Sequence, residues 1–195
     1  MLRRLGILIA IIAMTLNCAS TADAQAGDGD SSEYLIKAGF IYNFAKFVEW
    51  PSAAFSQPDS PIVIGVLGTD PFGNVLDRIV EDKKIGPRPF VVRRYRWGKD
   101  LKDLKDCKIL FVSASEKTRI DEILLSVKGL PILTVGETPG FAERGGVIRF
   151  TLEDNRVRFE VNVDAAHQAD LNISSRLLTL AKIISQTATA GRNPG

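Results

Sequence analysis

Three short, almost uninterrupted apolar runs constrain the fold of this chain more than any other feature. They are Pro61–Leu67, Ile109–Val112 and Pro131–Val135. A strand with one face in water alternates between apolar and polar residues, whereas a strand covered on both faces is apolar throughout. The three runs therefore predict buried, parallel strands, and Phe90–Tyr95 is predicted as a further strand of the same sheet.

Helix-start signals follow three of these strands. Asp70 and Pro71 predict a helix to about Val80, Ser113 with Glu116 predicts one that stops near Gly129, and Thr138 with Pro139 predicts a short one ending at Gly145 and Gly146. Strands that alternate with helices predict a mostly parallel sheet with helices on both faces.

The pattern changes after residue 146. Val147–Leu152 and Val157–Val163 are joined by four turn-forming residues, which predicts an antiparallel hairpin added to the sheet. In its second strand Arg158, Glu160 and Asn162 share one face, and we expect that face to be wet. A last helix is predicted over about Ser174 to Gln186.

A long helix is predicted from a serine cap at Ser31 or Ser32 to about Val48. Its stripe of Ile36, Phe40, Phe44 and Phe47 is extended by further apolar residues, which is more apolar surface than one face on a sheet requires. Two interpretations remain open. The helix is sunk in the core, or part of the stripe packs on a partner or another subunit.

The first 24 residues have the pattern of a secretory signal peptide. Arg3 and Arg4 precede the apolar stretch Leu5–Leu16, and Ala22–Ala24 is a small-residue cleavage site. The stretch is shorter than the roughly 20 residues that cross a bilayer, although an anchor and lipidation at Cys18 are alternatives. We expect a flexible leader over residues 25–32, one domain over 33–187 and a loose tail over 188–195.

Composition argues against several functional classes. The chain has 25 Lys and Arg against 23 Asp and Glu, a formal net charge of +2, so it lacks the clustered basic face that nucleic acids require. The densest basic and aromatic cluster, residues 93–97, is interpreted either as an anion site or as a strand edge kept soluble by charge. One His and two Cys cannot form a four-ligand zinc site, and no metal is expected.

No catalytic pattern is evident. The segment Gly65–Gly68 lacks dinucleotide-loop spacing, and neither a phosphate-loop lysine nor a Gly-x-Ser-x-Gly elbow occurs. His167 and Ser115 would have to serve any hydrolase, while Cys107 is either a buried hydrophobe or a reactive thiol. We predict a non-enzymatic binding protein without a cofactor. The alternative is a small-molecule-binding protein with a pocket near Gly68–Asp70 and Ser113–Ser115.

Three segments in consistent order carry a family resemblance. Glu33–Pro51, Gly140–Phe150 and Phe159–Leu178 resemble the corresponding segments of the YfiR family of periplasmic proteins. The resemblance implies a three-layer, Rossmann-like α/β domain, often a homodimer. It also implies a protein that represses an inner-membrane diguanylate cyclase by binding its periplasmic sensor part, and from which an outer-membrane peptidoglycan-binding lipoprotein removes it.

Some members of that family contain disulfides, and here the resemblance is incomplete. Only Cys107 matches such a position; Leu67 or Gly68 stands near its expected partner, and Ala142 and Arg149 occupy the positions of a second pair. Family-type redox control is therefore not expected.

Two surfaces are predicted to bind the partner. They are the stripe of the first helix and the polar side of the second hairpin strand with its continuation, comprising Ile36, Phe40, Phe44, Phe47, Arg158, Glu160, Asn162 and Asp164.

Overall fold

The structure, a computed structural model, describes residues 26–100 and 102–184, with side chains from Ser32 onward. The predicted signal peptide and the tail over 188–195 lie outside the described residues. Domain limits at 33 and 187 remain predictions.

Five helices and ten strands form the described part of the chain. The helices are α1 (Ala26–Phe47), α2 (Val75–Val80), α3 (Ile120–Ser126), α4 (Val163–Gln168) and α5 (Ser175–Leu178). The strands are β1 (Val48–Glu49), β2 (Ile62–Leu67), β3 (Lys84–Ile85), β4 (Arg88–Tyr95), β5 (Ile109–Val112), β6 (Leu133–Gly136), β7 (Ile148–Glu153), β8 (Arg156–Asn162), β9 (Asn172–Ile173) and β10 (Lys182–Ile184). Short 3₁₀ turns lie at Ser52–Ala54, Leu104–Asp106 and Ala114–Glu116.

Eight of the strands form one mostly parallel sheet in the order β10-β8-β7-β6-β5-β2-β4-β3. β4, β2, β5, β6 and β7 run parallel to one another, and β8 returns antiparallel to β7. The predicted parallel sheet and hairpin are therefore confirmed. A separate two-stranded ladder joins β1 to β9, so the end of α1 is fixed to the chain before α5.

The sheet separates two hydrophobic cores. Ile64 and Val66 of β2 belong to the larger core, together with α1 and α2, whereas Val63 and Leu67 point into a smaller core with α3. This alternation along one strand follows from the period of two of β-structure. It explains why β2 is buried at every position.

The chain after Ser174 differs from the prediction. A helix over Ser174 to Gln186 was expected, but α5 ends at Leu178, and β10 then pairs in parallel with β8 at the sheet edge. The apolar spacing fits a helix and a short strand alike, and pairing with the otherwise open backbone of β8 decides in favour of the strand.

Two other local predictions were wrong. The segment Thr138–Gly145 forms turns rather than a helix, with positive φ at Gly140 and Gly145. Phe141 is fully buried there, and its ring lies where a Cβ on Gly136 or Gly146 would be. At the other end, α1 begins at Ala26 rather than at the predicted serine cap, because extending an existing helix needs no new nucleation.

Candidate functional site

The aromatic stripe of α1 is mostly part of the core. Phe44 is fully buried, and its ring centroid lies 5.7 Å from that of Phe150 and 5.1 Å from that of Phe159. Phe40 is half-buried against the same two rings, and Phe47 is half-buried against the larger core. The interpretation of a helix sunk in the core therefore holds for these three residues, and Phe44 is inaccessible to a partner.

Ile36 is the exposed member of the stripe, with 46% of its surface accessible. It lies one turn before Phe40, which packs on β7 and β8. Leu152 is 53% exposed and lies two residues after Phe150, so it shares the face of β7 on which α1 packs. Lys37, next to Ile36, binds Glu137 directly after β6, which runs parallel to β7, so the start of α1 and the end of β7 lie towards the same edge of the sheet. We call Ile36 and Leu152, which both lie towards that edge, the apolar rim.

The prediction that Arg158, Glu160 and Asn162 form a solvent-exposed face of β8 is wrong for two of these three residues. Arg158 is exposed, but Glu160 is 3% exposed and Asn162 is fully buried. Glu160 is buried because the unexpected strand β10 pairs with β8 beside it. This strand brings the Lys182 Nζ to within 2.9 Å of one carboxylate oxygen of Glu160. Arg149 donates to the other oxygen at 2.9 Å, and the Glu160 hydrogen bond raises the pKa of Lys182.

Asn162 is buried because its side chain is an N-cap. Its amide oxygen accepts the Ala165 N–H at 2.9 Å at the start of α4, and its NH₂ group donates to the Ala142 carbonyl at 2.7 Å. Asp164, in the first turn of α4, is half-buried. Of the polar candidates, Arg158 is therefore the one with a fully exposed side chain.

A buried ion cluster joins α1 to the loop after β6, and the sequence patterns did not reveal it. Lys37 is 4% exposed, and its Nζ lies 2.5 Å from carboxylate oxygens of both Glu33 and Glu137. The Tyr34 hydroxyl donates to Glu137 at 3.2 Å. The Glu33–Lys37 spacing of four residues was a visible signal, whereas Glu137 is about 100 residues away along the chain.

The two candidate hydrolase residues lie at opposite edges of the sheet. Ser115 follows β5 at the carboxyl edge of the parallel strands, where its Oγ accepts the Thr69 N–H at 2.9 Å. His167 lies in α4, which follows the antiparallel β8 and is therefore at the other edge. The two residues cannot act as a nucleophile and base pair, which requires hydrogen-bonding distance.

The basic cluster near β4 is largely engaged in ion pairs. Arg94 binds Asp70 at 2.9 Å and also Asp77, and hydrogen bonding to Arg94 lowers the pKa of Asp77. Arg93 lies 3.8 Å from Asp106. The guanidinium of Arg96 makes no ion pair with any described residue.

Cys107 is fully buried in the smaller core. Burial raises the pKa of its thiol to about 11, which keeps the group protonated and unreactive near neutral pH. Within residues 26–100 and 102–184, no three His, Cys, Asp or Glu side chains are grouped so that they could hold a metal ion. None of the described helices is long and apolar enough to span a membrane.

Comparison with known proteins assigns this arrangement to a family. The chain matches the YfiR/HmsC-like family over residues 34–182, from the first turns of α1 to the start of β10. The chain belongs to the YfiR/HmsC-like family. The family is periplasmic and regulatory, and its regulators act in diguanylate cyclase signalling. None of the curated proteins matches the chain.

Solved structures support the fold. A conserved domain protein from Vibrio cholerae O1 biovar El Tor is similar with a TM-score of 0.52 and 10% identity. The ABC domain in complex with L-Trp from Streptococcus pneumoniae is similar with a TM-score of 0.51 and 10% identity. The match covers 78% of this chain and only 60% of each of those chains. At this identity the similarity concerns the α/β fold alone.

Proposed function

We propose that this protein is a non-enzymatic periplasmic regulator that represses an inner-membrane diguanylate cyclase by binding its periplasmic sensor part. The observation that supports the proposal is the family match over almost the entire described domain. The separation of His167 from Ser115 removes the catalytic pairing that the sequence offered. The match does not favour the alternative of a dedicated small-molecule-binding protein.

The apolar rim is the proposed contact surface for the sensor part. Ile36 and Leu152 are both about half exposed, and exposed apolar side chains gain the most from burial against a partner. Arg158 is paired with Thr151 near the tip of the hairpin formed by β7 and β8. Its side chain is on the face of the sheet away from Leu152. A homodimer, and release by an outer-membrane peptidoglycan-binding lipoprotein, are further parts of the proposal.

The test combines binding with signalling. We expect the wild-type protein to recover a membrane diguanylate cyclase in a pull-down from solubilised membranes, and deletion of its gene to raise cyclic di-GMP. Recovery of no such cyclase, together with unchanged cyclic di-GMP after deletion, would refute the proposal.

The Ile36→Glu variant tests the surface separately from the function. A charge in the apolar rim should weaken the pull-down and raise cyclic di-GMP, because a carboxylate would have to be desolvated in the interface. Leu125→Glu is the matched control, since Leu125 is 71% exposed on α3, on the other side of the sheet. If both variants repress like the wild type, the rim is not the contact surface although the function stands.

Export can be tested by the mass of the mature protein. Cleavage after Ala24 predicts a chain that begins at Gln25 in the periplasmic fraction. Retention of a lipidated Cys18 in a membrane fraction would instead support the lipoprotein alternative.

A further inference from the structure

An open cavity lies at the carboxyl edge of the sheet, where the chain reverses its direction of winding. From β2 the chain passes to β4 on one side, and then crosses back to β5 on the other side. Ligands of open α/β sheets bind outside the carboxyl ends of strands at such a switch point. The cavity has a volume of about 510 Å³ and is lined by Gly68, Thr69, Arg96, Trp97, Ser115, Glu116 and Arg119.

The floor of the cavity is held by the two loops that follow β2 and β5. Gly68 has a φ of +96°, and a Cβ there would lie 2.9 Å from Cγ of Glu116 and even closer to the Ser115 hydroxyl. Only glycine fits this close approach without strain. The Thr69 N–H then donates to Ser115 Oγ at 2.9 Å, which joins the loops directly. The cavity wall is therefore preformed on both sides.

The charges of the cavity leave one positive group unpaired. Arg119 donates to Glu116 at 3.2 Å, so these two charges offset each other. Arg96 is exposed, and its backbone N–H donates to Asp100 at 2.7 Å while its backbone carbonyl accepts from the N–H groups of Lys99 and Asp100. Among the described residues its guanidinium makes no hydrogen bond or ion pair. Arg96 also lines an adjoining cavity of about 430 Å³ that shares Gly68. A guanidinium with free donors is suited to a carboxylate or a phosphate.

Trp97 supplies an apolar wall beside that charge. Trp97 is half-buried, packs against the smaller core and also lines the cavity. Indole faces bind planar rings by offset stacking. We propose that this cavity binds a small aromatic anion, whose carboxylate or phosphate pairs with Arg96 and whose ring stacks on Trp97. Such a site goes beyond the proposed function, because it would make the regulator responsive to a small molecule.

Titration monitored by ¹H–¹⁵N NMR tests the proposal on the whole protein. The indole N–H of Trp97 reports the cavity, and that of Trp50, which donates to the Lys108 carbonyl at 3.2 Å, reports the remainder of the fold. We expect benzoate or phenyl phosphate to shift the Trp97 signal saturably and leave the Trp50 signal in place. A comparison of these two probes distinguishes a carboxylate ligand from a phosphate ligand.

Three variants make the test specific. Arg96→Gln should weaken binding by about tenfold or more. Trp97→Leu, in which the backbone N–H signal of the cavity residue Thr69 replaces the lost indole signal, should weaken binding by about threefold to tenfold. Arg93→Gln is the control, because Arg93 pairs with Asp106 and does not line the cavity, and its affinity should change by less than about twofold. An unshifted Trp50 signal confirms that each variant is folded.

The outcomes that overturn the proposal are equally specific. The proposal is wrong if neither probe shifts the Trp97 signal saturably at concentrations up to roughly 20 mM. It is also wrong if the wild type and Arg96→Gln bind the probes with equal affinity, or if inorganic phosphate binds as tightly as phenyl phosphate. The experiment needs no partner protein, so its failure would leave the regulatory role untouched.

Discussion

At the scale of single residues, the buried ammonium group of Lys37 is important for the stability of the fold. Its charged head is almost buried, and Glu137, with only 10% of its side chain exposed, depends on it for neutralisation. A buried carboxylate that loses its cation costs far more than the pair contributes when intact. The hydrogen bond from Tyr34 to Glu137 would remain, but it brings no charge.

We therefore predict that Lys37→Met lowers the free energy of unfolding by about 2–4 kcal/mol. The double variant Lys37→Met/Glu137→Gln should recover part of this loss, since it removes the unpaired carboxylate as well. Lys46→Met is the control, because Lys46 is exposed and the described residues that it contacts through its charged group are Asn43 and the ring of Tyr42 at the surface. Urea unfolding measures all three, and equal stabilities of Lys37→Met and Lys46→Met would contradict the prediction.

A second residue-scale effect depends on pH. Burial raises the pKa of Cys107 to about 11, above the value of about 8.5 for an unfolded cysteine. The folded state therefore holds the proton more tightly, so this stabilisation is complete below pH of about 8.5 and is lost as the pH rises through about 11.

The predicted consequence is a stability difference between the wild type and Cys107→Ala that shrinks with pH. Between pH 7.5 and 10.5 it should change by about 2 kcal/mol in favour of the variant. Unfolding free energies at several pH values test this, and alkaline titrations of groups that do not interact with Cys107 cancel in the difference, whereas those of Tyr95 and Lys108 do not. Parallel pH profiles for the two proteins would show that the thiol does not contribute.

At the scale of elements, the sequence was informative where one pattern permitted one structure. The run Ile109–Val112 is a strand of the same bounds in the structure, because a four-residue apolar run is too short for a buried helix. Asn162, by contrast, alternates like a solvent-facing residue, and its burial depends on its role as the N-cap of α4 and on the Ala142 carbonyl across the fold. Edge pairing by β10 likewise depends on β8, about 22 residues away.

The candidate site, too, was predictable from the sequence where a local pattern determines it and not where it depends on contacts between distant segments. Ile36 was recognised from the helical period, since a stripe wider than one face must leave some member exposed. Lys37 and Glu137 were missed because their interaction links distant segments, and local spacing does not encode which loop will lie over a helix. Arg96 was noted as part of a basic cluster. The sequence did not show that nearby acidic residues pair with Arg94 and Arg93 rather than with Arg96, because those ion pairs are tertiary contacts.

Glycines give an element-scale prediction for α1. Gly39 is helical, and a Cβ added there would meet nothing within 4 Å. Gly39→Ala should therefore stabilise the protein by about 0.5–1 kcal/mol, by lowering the backbone entropy lost on folding. The contrasting variant is Gly136→Ala, whose Cβ would lie 2.7 Å from the Phe141 ring and should destabilise by about 1–3 kcal/mol. Thermal unfolding distinguishes the two, and a loss of stability in Gly39→Ala would indicate an unseen contact at that helix face.

At the scale of the whole molecule, a repressor that acts by occupying a partner depends on the amount of folded protein. The stripe of α1 bears on both the amount of folded protein and the contact with the partner, because Phe44 supports the core while Ile36 lies on the surface of the same helix. A protein with ordinary stability of about 5–15 kcal/mol tolerates few losses in its core. Repression can thus fail by two routes, through the fold or through the contact surface.

We predict that variants of one helix separate these routes. Phe44→Ala should cost about 3–5 kcal/mol, because it leaves a cavity between Phe150 and Phe159, and it should raise cyclic di-GMP by reducing the folded protein in the periplasm. Ile36→Glu should raise cyclic di-GMP at an unchanged protein level and melting temperature. Immunoblots of periplasmic extracts, melting curves and cyclic di-GMP assays on both strains test this. If Ile36→Glu lowers the melting temperature as much as Phe44→Ala does, Ile36 supports the core in spite of its exposed position, and the partner must bind at another surface.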